Sequence, residues 1–514
     1  MKYSITLYTI LIGSLLTIGT RVMAAQPPDV VASDINGNTA MGTSALISQT
    51  VSYANTASGA AALFSNTIGE YNTAAGYKAM YSNTTGSDNT AYGFQALNFN
   101  TTGSENAASG AYALFYNSTG YFNSASGYQA LYSNTTGHDN TALGIEALYS
   151  NTSGIDNTAS GAEALFLNTT GNANAAFGWH ALLNNATGNF NTAVGVNTLL
   201  NNTTGSDNTA LGIQAMFYNT TGVQNTATGA GALGNNITGS GNTASGDAAL
   251  NSNTIGGNNT ALGFDALFSN TTGKGNEAQG VNALYNNTTG IRNLGIGSNA
   301  LYSNNGSYNI ALGYSAGYNV TTGNNNIEIG SSGSASDDST IQIGVQGTQT
   351  LTTIAGIYGT QVTGSAVYVT AAGQLGVQGS SERFKTDIAA MPDMSAKLQQ
   401  LRPVTFRYRT DAKGLLQYGL IAEEVDKVYP ELVIRDDSGK IQGLHYEELA
   451  PMLLNEVKHE QHLLAAQNQA LAAQASELGE LKQRFAELAQ INRATQIALA
   501  ELRTRDAQVA MRNQ

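Results

Sequence analysis

Residues 140–156 have the sequence NTALGIEALYSNTSGID, and residues 157–173 repeat it as NTASGAEALFLNTTGNA. The pattern recurs every 17 residues. Its glycine falls at Gly42, Gly59 and so on to Gly297, then after a step of 16 at Gly313 and finally at Gly330. An asparagine stands four residues before each of these glycines. So regular a period predicts a repeat protein in which each unit is covered by its neighbours.

Each repeat predicts one turn of a β-solenoid or β-roll. The NTALG segment has the alternation and the threonine of a short strand, and the Ala-Leu pair that follows it is the predicted core. The SNTTG and GSDN segments predict turns in which Gly or Asn adopts a positive φ. The asparagine at a fixed phase predicts a ladder of stacked side-chain amides. An alternative is a strand followed by a short helical turn over segments such as GYQALYSN.

The repeats resemble the Gly-, Asn- and Ala-rich repeats in the heads of trimeric autotransporter adhesins, which implies a trimeric left-handed parallel β-roll. Many Asn-x-Thr triplets match the N-glycosylation acceptor pattern. Because they recur with the structural period, turn and ladder roles are favoured. Nothing in the repeats indicates catalysis. The acidic pair Asp337 and Asp338 lies in a Ser- and Gly-rich stretch and predicts a solvated loop.

Composition limits the possible functions. The formal charge is −13 and no basic run is long enough to follow a phosphate backbone, which argues against nucleic-acid binding. The chain has no cysteine, which excludes disulfides and cysteine-ligated metals. We expect no cofactor and no metal site.

The first residues indicate export. Lys2, an apolar run over residues 5–18 and Val22-Met23-Ala24 predict a signal peptide over residues 1–24. The alternative is a short membrane anchor, but the run is shorter than the ~20 residues that a spanning helix needs. A linker (25–37), the repeats (38–330) and a β stem (331–379) are predicted to follow. No other membrane-spanning segment is expected, and the predicted location is secreted or at a bacterial cell surface.

Composition changes at GSSERFKTDIAAM (379–391), where charged residues become frequent. A serine hydroxyl becomes a good nucleophile only when a base accepts its proton. No histidine lies near, so Lys385 is the available base for Ser380. Burial and a neighbouring positive charge such as Arg383 favour the neutral amine that this role needs. The alternative is a surface loop with solvated charges.

This segment and those that follow it, LRPVTFRY (401–408), YGLIAEEVDKVYPELV (418–433) and GLHYEELAPMLLNEVKHEQ (443–461), resemble the peptidase S74 family, the intramolecular chaperones of endosialidase. The resemblance implies a self-cleaving trimerisation domain over residues 380–455. It implies a cut between Gly379 and Ser380, with Ser380 and Lys385 as the catalytic pair and Arg383 in support. Ser381 stands where the family usually has Asp; it could orient the turn or, less favoured, be the nucleophile. The Glu423-Glu424 and Glu447-Glu448 pairs predict helix-surface charge.

A heptad pattern predicts a coiled coil over residues 456–510, although a helical hairpin near Gly479 is an alternative. The two seams are Val457, Leu464, Leu471, Leu478, Phe485, Asn492 and Leu499, and Leu453, Gln467, Gln474, Leu481, Leu488 and Leu502. The predicted fold is mainly β, a β-solenoid or β-roll fibre followed by a small α/β chaperone domain and a coiled-coil helix. The predicted protein is an adhesin-like homotrimer with an unidentified glycan or protein ligand. The alternative is a phage-derived tail-fibre element with an inactive or slow chaperone domain.

Overall fold

The computed structural model describes residues 32–355, 366–370, 372–409, 414–436 and 438–513. The predicted signal peptide and most of the predicted linker lie outside the described residues. The chain divides into two units, residues 1–362 and 363–514, and each is described by itself.

The described part of the first unit is one long parallel stack of three-residue strands. A short strand β1 (Ala32–Ser33) pairs antiparallel with β2, and β2 to β20 then pair in chain order, each parallel to the next. The strands are β2 Thr39–Met41, β3 Thr56–Ser58, β4 Thr73–Ala75, β5 Thr90–Tyr92, β6 Ala107–Ser109, β7 Ser124–Ser126, β8 Thr141–Leu143, β9 Thr158–Ser160, β10 Ala175–Phe177, β11 Thr192–Val194, β12 Thr209–Leu211, β13 Thr226–Thr228, β14 Thr243–Ser245, β15 Thr260–Leu262, β16 Glu277–Gln279, β17 Leu294–Ile296, β18 Ile310–Leu312, β19 Ile327–Ile329 and β20 Ile341–Ile343.

Register follows the sequence period, so that Thr158 pairs with Thr141 below it and with Ala175 above it. This confirms one solenoid turn per 17-residue repeat. Neighbouring parallel strands lie about 4.8 Å apart, so the stack is on the order of 85 Å long. β20, in the segment predicted as a stem, pairs parallel with β19 as the last turn.

The turn formed by residues 157–173 shows how each repeat buries its apolar residues. Ala159, the middle residue of β9, points inward, and Ala164 and Leu165 complete the apolar core of this turn. The predicted Ala-Leu core is therefore confirmed. Leu165 and Glu163 both have positive φ, 54° and 55°, so the segment is a series of tight bends. The alternative of a short helix in each repeat is wrong.

Such left-handed residues carry a conformational cost when they are not glycine. The neighbouring turns hold them in place. The Glu163 amide donates to the carbonyl of Ile145 in the turn below (2.9 Å), and the Leu165 amide donates to the carbonyl of Ala181 in the turn above (3.0 Å). A single turn could not keep this backbone shape, because its hydrogen bonds belong to its neighbours.

Two glycines in each turn are required for different reasons. Gly161 has φ 147°, a conformation that L side chains rarely adopt, and its backbone lies directly against Gly178. Gly171, in the NTTG segment, does not have a positive φ; a Cβ there would overlap the Asn168 side chain and the carbonyl of Gly188. The predicted positive φ at this glycine is thus wrong, and the nearby positive φ falls on Ala173 (54°).

The predicted asparagine ladder is present and fully buried. Asn157 donates from its side-chain amide to Oδ1 of Asn140 (3.1 Å) and to the carbonyl of Gly171 (2.8 Å). Its backbone N–H also donates to Oδ1 of Asn140 (3.0 Å). The same side-chain bonds recur from Asn55 to Asn293, which makes a continuous column of amides through these turns.

A second ladder runs beside the first and was not predicted. Asn168, in the SNTTG-type segment, donates to Oδ1 of Asn151 (2.9 Å) and to the same Gly171 carbonyl (3.0 Å) that Asn157 uses. Both asparagines are buried, and a buried, bonded amide is not accessible for glycosylation. This confirms the structural interpretation of the Asn-x-Thr triplets.

The missing residue of the step from Gly297 to Gly313 is absorbed in the turn after Asn304. In other turns two successive amides donate to one backbone carbonyl above them, as those of Thr152 and Ser153 do to Thr169. Here Oδ1 of Asn305 takes that place and accepts from the amides of Thr288 (3.0 Å) and Thr289 (2.9 Å). A side-chain oxygen thus replaces a missing carbonyl.

The described part of the second unit contains three antiparallel strand pairs. They are β21 Tyr368–Val369 with β22 Leu375–Gly376, β23 Val404–Phe406 with β24 Gln417–Gly419, and β25 Val433–Arg435 with β26 Ile441–Leu444. The helices are α1 Ser395–Leu398, α2 Ala422–Val425 and α3 Tyr446–Arg512, with 3₁₀ turns at Glu382–Phe384 and Pro430–Leu432. Its small core is formed by Val425, Tyr429, Leu432, Val433 and Met452. Part of the predicted stem, residues 356–365, lies outside the described residues.

Helix α3 runs without interruption through Gly479, so the helical-hairpin alternative is wrong. Among the described residues, no helix is both long and apolar enough to cross a bilayer. The architecture as a whole is mainly β with a helical end, as predicted.

The ladders generate a stability prediction. Replacing Asn157 by Ala should lower the free energy of unfolding by about 2–4 kcal/mol, because it leaves the buried backbone N–H of Asn174 without a partner and removes one of the two donors to the Gly171 carbonyl. Scanning calorimetry on the full chain measures the change. Thr158→Ala is the matched control. Thr158 is the next residue along the chain and is only partly buried, so this change should affect stability little. Equal effects of the two substitutions would contradict a structural role for the ladder.

Candidate functional site

The predicted catalytic segment folds as a single tight turn. The amide of Phe384 donates to the carbonyl of Ser381 (3.0 Å), and that of Lys385 donates to Glu382 (3.0 Å), which forms the 3₁₀ turn Glu382–Phe384. This single 3₁₀ turn bends the chain enough to bring Lys385 back towards Ser380.

This turn brings the two predicted catalytic side chains together. Nζ of Lys385 lies 3.4 Å from Oγ of Ser380 and donates to it. The distance is at the long end for a hydrogen bond, as is common in sites without a bound substrate. Both residues are exposed in the single chain.

The two supporting residues predicted from the sequence, Arg383 and Ser381, make different contacts in this turn. The guanidinium of Arg383 stacks over the ring of Phe384, 4.5 Å from its centroid. The same ring lies beside Gly379, where a Cβ would be 3.3 Å from it, so Phe384 packs next to the predicted scissile bond. Ser381 is the N-cap residue of the turn, but its side chain makes no capping hydrogen bond.

The segments downstream of the turn build a scaffold of charged and polar contacts. Arg402 donates to both oxygens of Glu424 (2.6 and 3.1 Å), and this hydrogen bonding lowers the pKa of Glu424. Glu447 pairs with His445 at 3.0 Å. Glu424 and Glu447, one residue of each acidic pair, thus contact a basic side chain near the start of a helix, which agrees with the interpretation of the pairs as helix-surface groups.

Three contacts of this scaffold were missed by the sequence reasoning. The Tyr446 hydroxyl accepts from the Leu420 amide (2.8 Å) and joins the start of α3 to β24. Ser395 of α1 donates to Glu456 of α3. Asp436 lies in the β25–β26 turn, where the Ser438 hydroxyl and further donors lower its pKa to about 2. No local pattern marks the first two contacts, because their partners are 26 and 61 residues apart.

In the described part of the chain, no three His, Asp or Glu side chains converge on one point as a closed metal centre would require. The chemical groups that do meet at this site are a hydroxyl, an amine and a glycine-flanked peptide bond. That arrangement is suited to acyl transfer from the peptide carbonyl to the hydroxyl.

Comparison with known proteins supports the same segment. Residues 380–434 match the family model described as Peptidase S74, chaperone of endosialidase. The match begins at Ser380 and extends to β25, so it includes the turn and most of the scaffold around it. The C-terminal module is thus similar to a family of intramolecular chaperones. Neither the curated proteins nor the solved structures contain a significant match to the chain.

Proposed function

We propose that this chain is the subunit of a secreted homotrimeric fibre whose C-terminal module first aligns three chains and then removes itself by cleavage between Gly379 and Ser380. The contact of Ser380 and Lys385 across one turn, at the first residue of the chaperone-family match, carries the proposal. The solenoid is the part that remains as the fibre.

The proposed reaction needs only groups of the chain and water. Nζ of Lys385, as the neutral amine, takes the proton from Oγ of Ser380, and Oγ bonds to the carbonyl carbon of Gly379. The C–N bond then breaks, and the nitrogen of Ser380 receives the proton. Water hydrolyses the resulting ester to a Gly379 carboxylate and restores the serine hydroxyl. Backbone N–H groups would stabilise the oxyanion that forms on the way.

Assembly supplies the switch in this scheme. In a single chain, Ser380 and Lys385 are both exposed to water. Contact with neighbouring copies would exclude water from the turn and favour the neutral amine. Cleavage would then follow assembly and would make it irreversible, which gives kinetic stability to the remaining fibre.

Helix α3 supports self-association. Its two predicted seams are exposed along their length, with Leu471 and Phe485 each about 65% exposed. Exposed apolar stripes of this size are typical of interfaces, and a heptad stripe fits copies of the same helix.

A second apolar surface lies on the solenoid. We define the outer ridge as the residues just before and just after each phase glycine from Gly42 to Gly313. Asp247 is the one charged residue in it. Its exposed large apolar members are Met41, Tyr77, Tyr92, Phe94, Tyr128, Leu143, Ile145, Phe177, Trp179, Val194, Val196, Leu211, Ile213, Leu262, Phe264, Val281, Leu312 and Tyr314.

The outer ridge fits a second and third copy better than an unrelated partner. Its side chains repeat with the spacing of the turns, and an identical solenoid presents the same spacing. Each residue leaves roughly 80–100 Å² exposed, so the ridge offers about 1,500 Å² per chain, against about 800 Å² in an ordinary stable interface. The ligand of the assembled fibre, a surface glycan or protein, stays unidentified.

The second candidate is a phage-derived tail-fibre-like protein with an inactive or slow chaperone domain. Ser381, in place of the family's usual Asp, favours it. Export through the predicted signal peptide favours the secreted fibre, because phage tail proteins assemble in the cytoplasm.

Cleavage is tested with single substitutions in the full chain. Wild type should give fragments that end at Gly379 and begin at Ser380, whereas Ser380→Ala and Lys385→Ala should stay whole, since either change removes half of the dyad. Gel mobility and the mass of the C-terminal fragment measure this. Ser381→Ala is the matched control and should still be cut. A wild-type protein that stays whole after assembly would refute the protease assignment, and an uncut Ser381→Ala beside a cut Ser380→Ala would move the nucleophile to Ser381.

Assembly is tested independently in the uncleavable Ser380→Ala background, where light scattering should give three chain masses. Replacing Leu478 and Leu481 by Asp places charge in both seams and should raise the dissociation concentration by at least about tenfold. Ser476→Asp with Gln483→Asp, at outward heptad positions, is the control and should leave the trimer intact. A monomeric Ser380→Ala protein, or equal effects of the two pairs, would contradict the trimer.

A further inference from the structure

The inward-facing middle residues of the strands change in type at the C-terminal end of the solenoid. From β2 to β18 the middle residue of every strand is alanine, except for Gly295 in β17. β19 places Glu328 in this column and β20 places Gln342. Glu328 is fully buried, and neither of its carboxyl oxygens has a hydrogen-bonding partner among the described residues.

A second carboxylate faces the same space. Asp337 was predicted to lie in a solvated loop, and this is wrong, because it is only 9% exposed. Its Oδ2 accepts from the Ser334 amide (2.6 Å) and from the side-chain amide of Gln342 (2.9 Å). The Ser331 hydroxyl donates to Oε1 of Gln342 (2.9 Å). The loop after β19 therefore folds back over the end of the stack.

Gly333 lies close to both acidic groups. A Cβ at this position would lie 2.8 Å from Cγ2 of Val320, 3.2 Å from Cδ of Glu328 and 3.3 Å from Oδ2 of Asp337. The two carboxyl groups thus both lie within about 3.3 Å of one point, and Gln342 links Asp337 to the Ser331 hydroxyl.

The sequence around this pair provides no counter-charge, because residues 293–382 contain no Lys, Arg or His. A buried carboxylate without a partner is costly, so neutralisation must come from the solvent.

We propose that Glu328 and Asp337 form a Ca²⁺ site that closes the C-terminal end of the solenoid. Ca²⁺ accepts six to eight oxygen ligands in irregular geometry, whereas Mg²⁺ demands a near-ideal octahedron. The preference of Ca²⁺ is met by a ligand set of two carboxylates, the side-chain oxygens of Ser331 and Gln342, and water. Binding would fix the loop 331–339 onto β19. With only two charged ligands, the dissociation constant should be on the order of 10⁻⁴ to 10⁻³ M.

The test uses full-length protein freed of metal with EDTA, at about pH 8, where carboxyl groups are ordinarily ionised. Calorimetric titration with CaCl₂ should show one site of that affinity, and Ca²⁺ should slow subtilisin cleavage within residues 331–339. Glu328→Gln should weaken binding by at least about tenfold and abolish the protection. Glu328→Ala should do the same and still fold, because alanine occupies this position in the turns below.

Asp338→Asn is the matched control. It removes a neighbouring carboxylate that is exposed and accepts the Asn324 amide, and it should bind Ca²⁺ like the wild type. If the calorimetric titration shows no heat of binding at millimolar CaCl₂ and subtilisin cleavage is not slowed, the proposal is overturned, and a protonated Glu328 is left as the neutral form. Equal affinity of the wild type and Glu328→Gln would also overturn it, and equal protection by MgCl₂ would overturn the assignment to Ca²⁺.

Discussion

The solenoid depends on one buried carbonyl oxygen in each turn that accepts two side-chain amides. In the turn 157–173 this is the carbonyl of Gly171, bonded by Asn157 and Asn168. A backbone that turns a full circle in 17 residues directs some carbonyls inward, and buried carbonyls must be bonded. Asparagine solves this because its amide donates while its oxygen accepts from the next turn. Aspartate would set acceptor against acceptor, and alanine would remove one of the two donors to the carbonyl.

This requirement fixes the residue types inside the solenoid and leaves those on its outer surface free to vary. Inside, each position has one role, which explains the repetition of Asn, Ala, Leu and Gly. Outside, the repeat only aligns whatever side chains are present, at a spacing close to that of the strands. Tyr132, Tyr149 and Phe166 accordingly form a stack with ring centroids 5.0 Å apart. The outer ridge has the same origin, since a periodic backbone turns scattered apolar residues into a continuous surface.

The sequence predicts those features that are the same in every repeat. The period, the Ala-Leu core and the ladder that contains Asn157 follow from residues at a fixed phase. The second ladder was missed because SNTTG equally fits ordinary turn chemistry, and nothing in the identity of Leu165 signals a positive φ. Asp337 was misplaced because its burial depends on a shortened last turn, in which Ile327 pairs with Ile341 only 14 residues later.

At the candidate site, spacing and family resemblance predicted that Ser380 and Lys385 meet, and the turn between them explains how. The surroundings of this pair in an assembly could not be predicted in the same way. They depend on contacts with other copies, whereas the turn of the single chain is exposed. The activity proposed for this module would therefore depend on assembly.

The two ends of the stack decide how such solenoids can associate. A parallel stack with open ends would extend by adding further chains, as exposed strand edges do. At the first end, β1 pairs antiparallel with β2 and interrupts the parallel order. At the last end, Glu328 and Gln342 replace the inward alanines and the loop with Asp337 covers them, which removes the apolar surface that another turn would need. The outer ridge, in contrast, is exposed along the sides of the solenoid, so the proposed association of copies would be lateral.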